Sequence, residues 1–319
     1  MSNALAALSS APAIAPAIAT AEPRTAAPTW DRTVPRHLVH RRSVTEVLLT
    51  DALRVSDSRF LVAAQWPLRH STFPHDPEGR HDPVFAVETI RQIGLLIPRV
   101  FLGTPPETRL LIRTVGFALD PAAEPRTAFG ASDILCEAHL SDVREVPARP
   151  GPLSLSLRVV FSCAGVPFGR AHGRLRTLTP RQYDALRTGR DRQPPRPPAG
   201  ERPAPAEAGV TGEGGVMVAR DAAGAVRIAP ADLGHPLYFD HPSDHVPGMV
   251  LLESARQAAC LARGRAGRLI AADLTATGFT EWTPAARVDC AAGDEGWGFE
   301  VVQEGTATAS GTLRFEGER

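Results

Sequence analysis

Apolar residues fall into two kinds of run along the chain, and the same order of runs occurs twice. From Phe60 to Trp66 the sequence is almost wholly apolar, as a short buried strand would be. A His/Pro/Asp-rich stretch follows. A helix is then predicted from about Pro83 to Val100, with Val84, Phe85, Val87, Ile90, Ile93, Leu95 and Leu96 spread over most of its circumference. Strand-like runs come next at 109–119, 131–146, 153–163 and 166–178, the last two meeting at a hairpin turn, Ala164-Gly165. In the second half, runs at 216–220 and 224–229 meet across Ala222-Ala223-Gly224. Another His/Pro/Asp loop (235–247) leads into a helix over 248–263, and runs at 272–282, 286–292, 297–303 and 306–315 close the chain.

A helix apolar on nearly all sides must be wrapped, and a curved antiparallel sheet can do so. The expected class is α+β, with two hotdog domains in one chain, each a long apolar helix inside such a sheet. The duplication is visible in the helices themselves. Glu88, Arg91 and Gln92 lie over Glu253, Arg256 and Gln257, each pair 165 residues apart. Residues 189–214 are rich in Pro, Gly and charge and read as a linker between domains at 30–188 and 215–319. Residues 1–29, rich in Ala and Pro, read as a disordered extension rather than a signal peptide.

Composition narrows the chemistry. The 319 residues carry 35 basic and 35 acidic side chains, and every cation is an arginine. Without lysine there is no Schiff-base chemistry and no phosphate loop ending in Gly-Lys-Ser/Thr. The balanced charge argues against a nucleic-acid or anionic-membrane partner. Four scattered cysteines (Cys136, Cys163, Cys260, Cys290) without a CxxC pair suit a reducing compartment, and no apolar run reaches membrane-spanning length. A cytoplasmic protein without a cofactor is expected. A tandem pair already holds its own pseudo-dimer interface, which leaves a homodimer open.

The spacing of Glu88, Arg91 and Gln92 puts them on one helix face, as it does Glu253, Arg256 and Gln257. Such a stripe is commonly a solvated ion pair. Inside an apolar wall, however, each glutamate is a candidate general base with an arginine to tune it. The loop before the second helix holds His241, Asp244, His245 and Gly248. A metal site there lacks a third ligand at a recognisable spacing, and a plain capped loop is the bland alternative. A ligand-facing loop would let Gly248 bring a carbonyl to the helix N-terminus as an oxyanion hole. Arg69 and His70 occupy the matching region of the first half, and Trp66 reads as core. No nucleophile elbow or dinucleotide fingerprint is present.

Three segments carry a resemblance: Phe60 to Pro67, Asp82 to Gly94, and Asp244-His-Val-Pro-Gly-Met-Val-Leu-Leu-Glu-Ser-Ala-Arg-Gln257. They resemble the A-factor biosynthesis family, tandem-hotdog synthases of γ-butyrolactone and related autoinducers. The likeness implies transfer of a β-ketoacyl group from acyl carrier protein, or another thioester donor, to dihydroxyacetone phosphate, then cyclisation toward a butenolide phosphate. In that setting Glu88 or Glu253 would be the base, with Gln92 and Gln257 orienting them. Arg91 and Arg256 would grip the phosphate. The chain also resembles β-hydroxyacyl dehydratases around Val246-Pro-Gly248, but Phe239 stands where their catalytic histidine would be. A double-hotdog dehydratase or thioesterase, and a non-catalytic acyl- or lactone-binding regulator, are the alternative readings.

Overall fold

The computed structural model describes residues 27–73, 76–126, 129–190 and 200–318. The Ala/Pro-rich extension up to residue 26 and the linker's 191–199 lie outside the described residues.

The first half begins with β1 (Leu49–Arg54) and β2 (Arg59–Pro67), followed by helix α1 (Val84–Phe101). Four strands come next: β3 (Arg109–Leu119), β4 (Ala131–Arg144), β5 (Ser154–Cys163) and β6 (Val166–Leu178). Two short helices follow, α2 (Pro180–Leu186) and α3 (Pro205–Ala208). The second half holds β7 (Val218–Arg220), β8 (Val226–Ile228), α4 (Gly248–Arg263), β9 (Leu269–Ala276), β10 (Arg287–Gly293), β11 (Gly296–Gln303) and β12 (Thr306–Phe315).

All strands belong to one antiparallel sheet in the order β1-β2-β4-β5-β6-β3-β9-β12-β11-β10-β8-β7. The order is a mirrored pair of six-stranded sheets fused where β3 meets β9, with Thr114 opposite Thr275 and Gly116 opposite Asp273. Inward positions alternate along β4 and β5, as a half-buried sheet requires. Ile134, Cys136, Ala138 and Leu140 of β4 are buried, as are Leu155, Leu157, Val159 and Phe161 of β5. They close on α1, where Phe85, Ile90, Ile93, Leu96 and Ile97 are buried.

Trp66 is core, as its sequence setting suggests. It is buried, and its indole N–H donates to Thr89 Oγ1 at 2.9 Å. Helix α4 stops at Gly264, whose φ of 68° favours glycine. Gly311 of β12 has no room for a side chain, because a Cβ there would collide with the Asp273 carbonyl oxygen across the ladder.

Two elements differ from the sequence reading. Strand β1 lies in Leu-Thr-Asp-Ala-Leu-Arg, which shows no clean alternation. Residues 200–214, read as linker, fold onto the second half. Glu201 and Arg220 exchange backbone hydrogen bonds at 2.8 and 2.9 Å, and α3 buries Ala208. Those bonds are main-chain, so a Pro/Gly-rich composition conceals them. Among the described residues no helix is long and apolar enough to cross a membrane.

Candidate functional site

The two halves meet around a local axis marked by Phe73 and its counterpart Tyr238, whose rings lie edge to face at 5.9 Å. His70 stacks on Phe73 at 5.3 Å, and His235 lies against Tyr238 at 4.6 Å. Each half therefore lends the loop before its helix to the junction, with the Glu88 triad on one side, the first cleft, and the Glu253 triad with its cavity on the other, the second.

In the first cleft Glu88 is sealed, with no exposed surface. Arg91 grips it with Nε and Nη2, both at 2.7 Å, and Arg41 adds a second ion pair at 2.8 Å. Gln92 donates to Glu88 at 2.5 Å and to the Glu46 carbonyl at 2.8 Å, while its own oxygen accepts from Leu48 N at 3.0 Å. Burial alone would raise the Glu88 carboxyl, but the charges of Arg41 and Arg91 override it and bring it down to about 2. A carboxylate this acidic and this enclosed is a poor proton acceptor. Its geometry makes it an anchor that fixes two arginines rather than a base.

The outer wall of this cleft is built by both halves. Arg41 donates to the Leu237 carbonyl at 2.6 Å, and Asp240 accepts from the backbone N–H groups of Arg42 and Ser43 at 2.5 and 2.9 Å. These bonds bring His241 from the second half against His40 from the first, ring centroids 4.2 Å apart. The His241 side chain is 32% exposed, and its Nδ1 lies 3.8 Å from Asp240 Oδ2.

Burial and the charges of Arg91 and Arg41 lower the His241 pKa against the opposing pull of Asp240. His40 keeps solvent on one side. Even so, burial, His241 and the cations Arg91, Arg99 and Arg109 lower its pKa to about 3. Both imidazoles are thus held neutral beside an excess of positive charge.

The second cleft contains a cavity of about 190 Å³, lined by Asp82, Val84 and Val87 of the first half and by Tyr238, Met249, Leu252, Glu253 and Arg256 of the second. Arg256 holds Glu253 through Nε and Nη2 at 2.9 and 2.6 Å, and Gln257 donates to it at 2.6 Å. The triad repeats, but among the described residues no second arginine pairs with Glu253, whose side chain is 11% exposed. Burial raises the Asp82 carboxyl, and burial together with Glu253 and Asp82 pushes the Tyr238 phenol up. Every guanidinium here is matched by a carboxylate: Arg256 by Glu253, and Arg268 by Glu124 and Asp76. An added anion would find no surplus charge.

The remaining sequence candidates sit elsewhere. Asp244 and His245 belong to a half-buried staple. Tyr183 donates to Asp244 at 2.6 Å, His245 Nδ1 lies 2.8 Å from the same oxygen, and Arg187, only 1% exposed, bridges Asp244 and Glu281. Helix α2 is set for this by a capping box, Thr179 with Gln182. Gly248 opens α4 with free space beside it but does not line the cavity. His70 is buried against Glu46 at 3.2 Å, and Arg69 is exposed. Among the described residues no group of His, Cys, Asp and Glu could hold a metal. The sequence reading passed over His40, Arg41, Arg99 and Arg109. The run Val39-His-Arg-Arg42 held a usable signal, a histidine and two cations just before the first strand.

The family model of the A-factor biosynthesis hotdog domain matches residues 23–179 and 218–272. A 2-oxo-3-(phosphooxy)propyl 3-oxoalkanoate synthase of Streptomyces virginiae is 34% identical over 227 residues, 71% of this chain and 76% of that protein. A synthase of the same name from Streptomyces coelicolor is 31% identical over 238 residues, 73% of each. Among solved structures, an acyl-ACP thioesterase from Bacteroides thetaiotaomicron covers 80% of this chain and 98% of its own at 11% identity, with a TM-score of 0.46. That structural likeness is too loose to add to the sequence matches. On those matches, the chain belongs to the A-factor biosynthesis hotdog-domain family.

Proposed function

We propose that this protein is an acyltransferase that moves a 3-oxoacyl group from a thioester, borne by acyl carrier protein, onto the hydroxyl of dihydroxyacetone phosphate, and that it does so at the first cleft. The name shared by its relatives describes the ester of these two partners. The observation that carries the reading is the neutral His40–His241 pair set in a cation-rich wall built by both halves.

His241 takes the proton of the acceptor hydroxyl, with the Asp240 carboxylate 3.8 Å from its Nδ1 favouring the imidazolium that forms. The hydroxyl oxygen adds to the thioester carbonyl. The C–S bond then breaks, and the proton passes to the departing thiolate, leaving an ester and a free thiol. No acyl-enzyme is needed when both substrates are held together. The cavity beside Val84 and Val87 of α1 is the space offered to the donor's acyl chain. The ester's methylene, flanked by two carbonyls, can attack the ketone of the dihydroxyacetone unit and close a five-membered ring, and loss of water then gives the butenolide. The reaction belongs in the cytoplasm, where thioester and phosphorylated triose coexist.

Mass spectrometry of the products from purified protein, a 3-oxoacyl thioester and dihydroxyacetone phosphate tests this. The reading predicts the phosphorylated ester or its cyclised form with one equivalent of thiol. Free acid or an enoyl thioester in its place would contradict it.

A further inference from the structure

We propose that His40, Arg99 and Arg109 form a phosphate-dianion subsite in the first cleft, and that filling it turns His241 into a working base. This rests on the reading above and adds where the acceptor is recognised and how recognition is tied to chemistry.

Charge comes first. Four guanidiniums act on this wall, Arg41, Arg91, Arg99 and Arg109, against two carboxylates, Glu88 and Asp240. Cations outnumber carboxylates around the two imidazoles, although Asp244 lies beyond Tyr183 on the Arg109 side. Arg41 and Arg91 are committed to Glu88. Arg99 and Arg109 have no carboxylate partner among the described residues. Arg99 donates one Nη to the Leu38 carbonyl at 2.7 Å, its Nε is buried without a partner, and its neighbour Arg91 together with burial lowers its pKa. Arg109 is exposed and lies over the Tyr183 ring at 5.5 Å. Paired guanidinium donors suit phosphate oxygens.

The second cleft provides an internal comparison. In the helix register that aligns Glu88 with Glu253, the position of Arg99 is Gly264 and that of His241 is Asp76. Where His40 ends the turn before α1 in a left-handed conformation, Gly209 ends α3 in the same way. The triad is kept in both clefts, whereas the surplus cations and the histidine pair occur in one.

The coupling follows from electrostatics. The charges of Arg91, Arg99 and Arg109 act on His40, and those of Arg91, Arg41 and Asp240 on His241. A dianion among these cations favours protonated imidazole and so strengthens the base. Without it, the surrounding cations hold the His241 pKa down.

The test separates the acceptor into pieces, using an N-acetylcysteamine thioester so that the donor carries no phosphate. Dihydroxyacetone should be acylated slowly, and added phosphite dianion should raise the rate by about tenfold or more, as expected for charge-assisted hydrogen bonds. Arg109→Ala, at an exposed position, and Arg99→Ala should each abolish that rise. They should also raise KM for dihydroxyacetone phosphate by about tenfold, with KM for the thioester unchanged. Unchanged activation in both variants, or weaker binding of a coenzyme A thioester instead of the acceptor, would overturn the proposal. If the native protein forms no ester at all, the acyltransfer reading fails. The subsite is then judged by titrating inorganic phosphate against the His40 and His241 imidazole NMR signals. Shifts in the native protein that Arg99→Ala removes uphold it, and no shift overturns it.

Discussion

His40 and His241 meet ring to ring at 4.2 Å although they belong to different halves of a duplicated chain. Neither half alone contains the pair. The backbone of residues 42 and 43 binds Asp240, so the segment before the first strand and the loop before the second helix are fixed together. The first cleft therefore depends on the junction being closed.

Glu88 should make the fold sensitive to acid. Its folded pKa is depressed, so its contribution is complete above the ordinary glutamate range and is lost as pH falls toward about 2. The size is about 3 kcal/mol. Glu88→Gln should cost about 3–5 kcal/mol at neutral pH, because two arginines lose their counter-charge. The variant's urea midpoint should then change less with acidification than that of the native protein. Midpoints that fall in parallel below about pH 5 would refute the linkage.

Arg187→Ala tests whether the staple positions the catalytic loop. Removing a buried cation from Asp244 and Glu281 should lower stability by about 3–5 kcal/mol. It should also reduce kcat at temperatures where the variant is still folded, because the loop that holds Asp244 also carries His241. Full activity in the folded variant would make the staple purely structural.

Leu252→Trp should fill the cavity. The expected result is a loss of activity that grows with donor chain length and leaves KM for the phosphate acceptor unchanged. An equal loss for short and long donors would place the acyl chain elsewhere.

The doubled architecture was legible because its signals are local. The two helices keep a wide apolar surface and the same Glu-x-x-Arg-Gln residues, and the runs at 109–119 and 306–315 match β3 and β12 residue for residue. The triads were legible as faces but not as roles. Nothing near Glu88 in sequence reveals that Arg41 closes over it, whereas among the described residues Glu253 pairs with Arg256 alone. The partnership of His40 with His241 is a long-range consequence of how the halves dock, so spacing could not show it. Asp244 and His245, beside His241, look equally available in the sequence, and only packing assigns them to Tyr183 and Arg187.

The most direct test of the account is the rate of ester formation by His241→Gln compared with the native protein, at saturating 3-oxoacyl thioester and dihydroxyacetone phosphate. The account predicts an unchanged fold by circular dichroism and kcat lower by about 10²–10⁴, the usual contribution of a general base. A kcat within about twofold of native, far inside that range, would contradict it and move the chemistry out of the first cleft.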